Sequence, residues 1–75
     1  MPVIDACGLR CPLPLLKLRQ GLRRLAPGAT LCLRVTDPAS RDDIPEWLRQ
    51  SPYQLVQQQQ QGEVTEFTVQ AGEMS

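Results

Sequence analysis

The chain has 75 residues, with eight basic and eight acidic side chains and no histidine, so its net charge is zero. This length predicts one domain with a small core and no room for a large enclosed ligand cavity. A neutral chain with one Trp, one Tyr and one Phe is not typical of nucleic-acid binding, and no segment has the length of a membrane span.

The charges are unevenly placed along the chain. Residues 1–26 carry five basic side chains and one acidic, a balance of +4, whereas residues 27–75 carry three and seven, a balance of −4. Most of the basic side chains fall on the first predicted helix. This pattern is typical of a solvated helix face, and the alternative is a docking surface for an acidic partner.

The three cysteines are an odd number, which argues against a disulfide framework. The first residues also lack the basic start and apolar run of a secretory signal. We therefore predict a reducing, cytoplasmic setting with free thiols. Without histidine the chain lacks the usual general base near neutral pH and most zinc-binding arrangements, and we predict neither a metal nor a cofactor.

The first third predicts a short strand and a helix. The strand covers residues 3–4, a loop follows over residues 6–10, and the helix runs from about residue 12 to about residue 25. Its apolar residues recur at the spacing of one buried face: Leu15, Leu18, Leu22 and Leu25. Gly21 lies inside this helix, and close packing against the sheet would explain it.

The middle of the chain predicts a strand and a second helix. Apolar and polar residues alternate over residues 30–35, as expected of a half-buried strand. Asp37 followed by Pro38 predicts an N-cap and the first helical position. Because Pro45 would interrupt this helix, a later start near residues 42–43 is an alternative.

The last third predicts a β-hairpin. One strand covers residue 53 to about residue 59, the turn lies near Gly62, and the other strand covers residue 64 to about residue 70. We interpret the five glutamines at positions 57–61 as the solvent-facing end of this hairpin rather than an interaction tract. Residues after Ala71 are expected to fray.

The order β-α-β-α-β-β predicts an α+β fold over residues 1–75. It is a two-layer α/β sandwich, in which two helices cover one face of a four-stranded mixed sheet. The other face is left open, with Thr30, Cys32 and Arg34 as candidates to lie on it.

The stretch over residues 7–14 holds the chemistry of the chain. Pro12 and Pro14 fit the first helical turn, where a missing N–H has no partner to lose, so Cys11 is predicted at or next to the helix N-cap. The free N–H groups and the dipole of the helix, together with neighbouring Arg10, are expected to favour the thiolate of Cys11. A thiolate with no base partner suits sulfur chemistry, in which it accepts a sulfur atom as a persulfide and passes it on.

The other residues near Cys11 leave alternatives open. Cys11 itself could be a small buried hydrophobe at a helix start. Cys7 is either an inert loop residue or a resolving thiol that pairs with Cys11, while Gly8 gives the loop its flexible point. Leu13 points away from the predicted core, and with Lys17 it is a candidate partner contact.

Residues 5–14 read Asp-Ala-Cys-Gly-Leu-Arg-Cys-Pro-Leu-Pro, which resembles the Asp-x-x-Gly-x-x-Cys-Pro-x-Pro signature of the TusA family of small sulfurtransferases. Asp5 is the first residue of that signature, and the resemblance extends over nearly the whole chain. It implies the same β-α-β-α-β-β sandwich and a persulfide on Cys11. It also implies a cysteine desulfurase or rhodanese-type protein as sulfur donor and a downstream protein as sulfur acceptor.

Two positions depart from that family. The residue at Cys7 is commonly not cysteine, so a role for Cys7 lies outside the family pattern. Members that serve tRNA thiolation commonly have Glu where this chain has Leu13, which favours a general or sulfur-oxidation relay. We therefore predict a sulfur-carrier sulfurtransferase without direct nucleic-acid or membrane contact. The alternatives are a non-catalytic interaction module and a thiol redox switch through Cys7 and Cys11.

Overall fold

The structure is a computed structural model and describes residues 1–72. Two helices and four strands follow one another in the predicted order. They are β1 (Val3–Ala6), α1 (Leu13–Arg23), β2 (Thr30–Val35), α2 (Pro38–Arg49), β3 (Gln54–Gln61) and β4 (Val64–Gln70).

The four strands form one sheet in the order β1-β2-β4-β3. β1 lies parallel to β2, with Val3 opposite Cys32 and Ala6 opposite Val35. β4 runs antiparallel to both β2 and β3. The sheet is therefore mixed, and the predicted α+β fold with four strands and two helices is confirmed.

The hydrophobic core lies between the sheet and the two helices. Alternate residues of β2 and β4 point into it, as the sequence pattern predicts. The core side chains from the sheet and the helices are Leu18, Leu22, Leu31, Leu33, Val35, Ile44, Leu48, Phe67 and Val69. Burial of each of these side chains contributes roughly 1.5–3 kcal/mol before conformational entropy is counted.

Gly21 in α1 is explained by the close approach of the helix to the sheet. A Cβ atom at this position would lie 2.5 Å from Ile4 Cδ1 and 3.3 Å from Leu31 Cδ2. Both distances are shorter than ordinary carbon–carbon contact. The packing reason predicted for this glycine is therefore confirmed.

α2 begins at Pro38, and the alternative start near residues 42–43 is wrong. The Asp37 side chain caps the helix by accepting the N–H of Ser40, and Pro45 lies inside an unbroken helix. Packing of the helix on the core compensates for the backbone hydrogen bond that Pro45 cannot donate, a loss of about 3 kcal/mol.

The hairpin is longer than predicted. β3 continues through the glutamines to Gln61, which lies opposite Val64, and a bulge interrupts the register between Leu55 and Gln57. All five glutamines are exposed, so their interpretation as a solvent-facing strand end is confirmed. The fraying predicted after Ala71 covers residues 72–75, of which 73–75 lie outside the described residues.

The sheet face opposite the helices carries polar and charged residues. Arg34 of β2 forms an ion pair with Glu66 of β4, with 3.2 Å between Nε and Oε2. Cys32 lies two residues before Arg34 on β2 and therefore on the same sheet face, and its side chain is 8% exposed. Within residues 1–72, no helix is long and apolar enough to cross a membrane.

Candidate functional site

Cys11 lies in the loop between β1 and α1, and its side chain is exposed. Pro12 occupies the N-cap position of α1, and Pro14 is buried in the first helical turn. The Cys11–Pro12 peptide bond is cis. The structure therefore places Cys11 next to the helix N-cap, as predicted, and the alternative of a buried Cys11 is wrong.

The loop is tied to the end of β2 at Gly8. The Gly8 N–H donates to Thr36 Oγ1 at 2.9 Å, and Gly8 has a φ of +82°, which favours glycine over any residue with a Cβ. The Leu9 N–H closes a turn onto the Ala6 carbonyl at 3.2 Å. Gly8 thus shapes the loop, but by fixing its path more than by loosening it.

The backbone of Cys11 is held by the N-cap residue of α2. The Cys11 N–H donates to Asp37 Oδ2 at 2.9 Å, and the same oxygen accepts the N–H and the hydroxyl of Ser40. The hydrogen bond from the Cys11 backbone, followed by those from Ser40, lowers the pKa of Asp37. The site is therefore built between two helices, α1 and α2.

The sulfur of Cys11 contacts a second carboxylate of α2. Cys11 Sγ donates a hydrogen bond to Asp43 Oδ2 at 3.2 Å. This hydrogen bond raises the pKa of Cys11; desolvation of the thiol and the charges of Asp43 and Asp37 act in the same direction.

The activation predicted for Cys11 is therefore wrong for the structure. Accepting a hydrogen bond from a thiol and placing negative charge near it both favour the protonated sulfur. Among the described residues, Arg10 makes no ion pair or side-chain hydrogen bond. Its role beside the sulfur is not supported.

Sequence reasoning missed Asp43 as a site residue and identified Asp37 only as a helix cap. Asp37 and Asp43 lie 26 and 32 residues from Cys11 in the chain, so no local motif links them to the cysteine. The one local signal was their position at the N-cap and in the second turn of the helix that follows β2. Since β1 and β2 are parallel neighbours, the loops that leave their carboxyl ends meet at one edge of the sheet.

Cys7 interacts with the first residue of the predicted signature. The Cys7 N–H donates to Asp5 Oδ1 at 3.0 Å, and this bond lowers the pKa of Asp5. A hydrogen bond to the Asp5 carboxylate in turn raises the pKa of the half-buried Cys7 thiol. Cys7, Cys11 and Cys32 are all free thiols, and the pairing of Cys7 with Cys11 stays a prediction.

The surface beside Cys11 is both apolar and basic. Leu13 is 48% exposed and Leu16 is 41% exposed, and Lys17 is exposed on the same helix. Leu13 thus points away from the core as predicted. Residues 1–72 contain no group of three His, Cys, Asp or Glu side chains that could hold a metal ion.

Comparison with known proteins assigns the chain to a family. A family model described as "Sulfurtransferase TusA" matches residues 3–71. The chain belongs to the TusA family. The predicted family is therefore confirmed, and with it a sulfur-carrier role in general.

Relatives in the TusA family are similar over most of the chain. The sulfur carrier protein TusA of Pseudomonas fluorescens is 45% identical over 64 residues, which cover 81% of this chain and 77% of the relative. The TusA protein of Pseudomonas putida is also 45% identical, over 58 residues that cover 77% and 72%. The crystal structure of a SirA-like protein from Desulfitobacterium hafniense matches with a TM-score of 0.83 at 29% identity, covering 97% of this chain and 100% of that chain.

Proposed function

We propose that this chain is a sulfurtransferase that carries sulfane sulfur as a persulfide on Cys11. The observation that carries the proposal is the exposed sulfur of Cys11 on a fixed loop. The Cys11 N–H of this loop donates a hydrogen bond at 2.9 Å to Oδ2 of Asp37, the N-cap residue of α2. Cys32 is buried and Cys7 is half-buried, so Cys11 is the thiol that a partner protein reaches. Membership of the TusA family supports the same assignment.

Loading exchanges one sulfur–sulfur bond for another. The Cys11 sulfur, after losing its proton, attacks the outer sulfur of a donor cysteine persulfide. The donor S–S bond breaks, the donor cysteine leaves as a thiolate and takes up a proton, and Cys11 becomes Cys–S–SH. Unloading is the same exchange, with an acceptor nucleophile attacking the outer sulfur and Cys11 leaving as the thiolate.

The partners that suit this chemistry are proteins that hold a persulfide or accept one. We propose a cysteine desulfurase or a rhodanese-type protein as donor and a downstream sulfur-acceptor protein, within the cytoplasm. The three unpaired thiols suit that compartment. Leu13 and Lys17 are exposed on α1, the helix that follows Cys11, and would contact an acidic partner surface with an apolar patch. Leu13 replaces the glutamate common in the tRNA-thiolation branch, which favours a general or sulfur-oxidation relay.

Intact-mass measurement after incubation with a cysteine desulfurase and cysteine tests the assignment. The unmodified chain should gain the mass of one sulfur atom, and Cys11→Ser should gain none. Cys32→Ala is the matched control and should load like the unmodified chain, because Cys32 is buried. Sulfur uptake by Cys11→Ser at an unchanged rate would contradict the proposal, and an intramolecular Cys7–Cys11 disulfide found by peptide mapping after oxidation would favour the two-cysteine redox switch.

The raised pKa of Cys11 favours a second candidate function. A thiol that is held protonated by Asp43 is also what a non-catalytic interaction module would show. In that case the exposed face of α1 would still bind an acidic partner. Binding that survives Cys11→Ser, together with the absence of sulfur uptake by the unmodified chain, would identify this function.

A further inference from the structure

α2 holds Cys11 at two points through two carboxylates. Asp37 Oδ2 accepts the backbone N–H at 2.9 Å, and Asp43 Oδ2 accepts the thiol at 3.2 Å. The first contact fixes where the loop lies, and the second contact favours the protonated form of the sulfur. Asp43 is exposed, so a docked partner protein can reach it.

The charges that face the sulfur are negative. Asp43 and Asp37 come from α2, and both contribute to the raised pKa of Cys11. Arg10 is next to Cys11 in the same loop but forms no ion pair with the described residues. The empty carrier is therefore poorly prepared to act as a nucleophile by itself, because the thiolate and not the thiol attacks an S–S bond.

We propose that Asp43 restrains the unloaded carrier by keeping the Cys11 sulfur as an S–H group, and that a cationic group of the sulfur donor releases it. This inference rests on the proposed persulfide function of Cys11. When a lysine or arginine of the donor pairs with the Asp43 carboxylate, the hydrogen bond to Sγ is lost. The Cys11 proton then passes to solvent, and the Cys11 thiolate attacks the outer sulfur of the donor persulfide. The donor thiolate that departs from the broken S–S bond takes up a proton from solvent.

Restraint of this kind gives the exchange its specificity. A small persulfide or disulfide without a basic group brings no cation to Asp43 and meets a protonated sulfur, whereas a docked donor meets a thiolate. The loop contacts the carboxylates of Asp37 and Asp43 on one side, and on its other side the chain continues into α1, which carries exposed basic residues. A donor surface with both acidic and basic groups fits this arrangement.

Alkylation of Cys11 by iodoacetamide, an uncharged reagent, tests the restraint without any sulfur donor. Trypsin cleaves after Arg10 and Lys17, so Cys7 and Cys11 fall on separate peptides and mass spectrometry measures each rate. Asp43→Asn removes the charge but keeps a hydrogen-bond acceptor, and Asp43→Ala removes both. Asp42→Asn is the matched control, because it removes the same charge from the adjacent exposed position of α2.

We expect alkylation of Cys11 at neutral pH to be faster by roughly three- to tenfold in Asp43→Asn and at least as much in Asp43→Ala, because the thiolate fraction rises when the neighbouring anion is removed. The pH profile of the rate should shift to lower pH in both variants and stay in place in Asp42→Asn. An unchanged or slower rate in the Asp43 variants, or an equal rise in Asp42→Asn, would overturn the restraint. Because alkylation needs no persulfide, this result is independent of whether Cys11 takes up sulfur.

Discussion

Asp37 serves two parts of the chain with one carboxylate oxygen. Its Oδ2 atom accepts the N–H and the hydroxyl of Ser40, which caps α2, and also accepts the N–H of Cys11. The position of the reactive cysteine is thus coupled to the start of a helix that is distant in sequence. A helix cap is usually a local device, and here it also places the functional loop.

Replacing Asp37 should affect both the helix and the loop. We expect Asp37→Ala to lower the urea midpoint of unfolding and to speed amide hydrogen exchange at Cys11, because the N–H groups of Cys11 and Ser40 lose their acceptor. Asp37→Asn keeps an acceptor oxygen and should stay close to the unmodified chain. Ser40→Ala should lower the midpoint without affecting exchange at Cys11; faster exchange there in Ser40→Ala would contradict the assignment.

At this scale, local residue chemistry was predictable and contacts across the chain were not. The Asp37 cap, the position of Cys11 next to a helix start and the exposure of Leu13 follow from neighbours in sequence. The state of the Cys11 sulfur depends on Asp43, which the sheet brings within 3.2 Å. The helix-terminus argument alone therefore predicted the wrong direction for the pKa of Cys11.

At the scale of elements, the seating of α1 on β1 and β2 depends on Gly21. The space that a side chain at this position would need is filled by Ile4 Cδ1, 2.5 Å from the ideal Cβ site, and by Leu31 Cδ2. A side chain at this position requires the terminal methyl groups of Ile4 and Leu31 to shift.

A double-mutant cycle measures this packing. Gly21→Ala gains about 1 kcal/mol of helix propensity but crowds Ile4, and overpacking costs about 1–3 kcal/mol, so we expect a net loss of roughly 1 kcal/mol. Ile4→Val removes the Cδ1 atom, and in that background Gly21→Ala should be close to neutral. Urea unfolding of the four proteins gives the coupling, and purely additive effects would show that Ile4 does not limit this site.

The strands were more predictable than the ends of the elements. Alternation in β2 and β4 reflects one buried face, so their limits agree with the structure. β3 extends beyond its predicted end because pairing with β4 keeps the glutamines in the strand up to Gln61, which lies opposite Val64. The pairing supplies hydrogen bonds that the composition of the glutamine run does not indicate.

At the scale of the whole molecule, the two parts of the chain carry opposite net charge. The N-terminal part of the chain has a balance of +4 and the remainder −4. The exposed basic residues of α1 and the carboxylates of α2 are on the two elements that hold the Cys11 loop. A partner that docks over both elements therefore contacts side chains of both charges, which sets its orientation as well as its affinity.

The carboxylates of Asp5 and Asp37 make the stability of the fold depend on pH. The backbone hydrogen bonds from Cys7 and Cys11 lower the pKa values of Asp5 and Asp37, respectively, below the ordinary value of 3.8. Their contribution is present above the unfolded pKa and is lost as pH falls through the native values, because the unfolded chain then binds more protons. The urea midpoint should therefore drop below about pH 4, and less steeply in Asp37→Asn.

The three thiols affect the stability of the fold at high pH. Hydrogen bonds to Asp5 and Asp43 raise the pKa values of Cys7 and Cys11, and burial raises that of Cys32, above the ordinary value of 9.0. A raised native pKa contributes stability below the unfolded value that is lost as pH rises through the native one, since the unfolded thiol ionises first. Urea midpoints should thus fall above about pH 9, and Cys11→Ser should fall less steeply than the unmodified chain. An equally steep decline in Cys11→Ser would show that ionisation of this thiol is not coupled to folding, and with it that the Asp43 contact does not persist in solution.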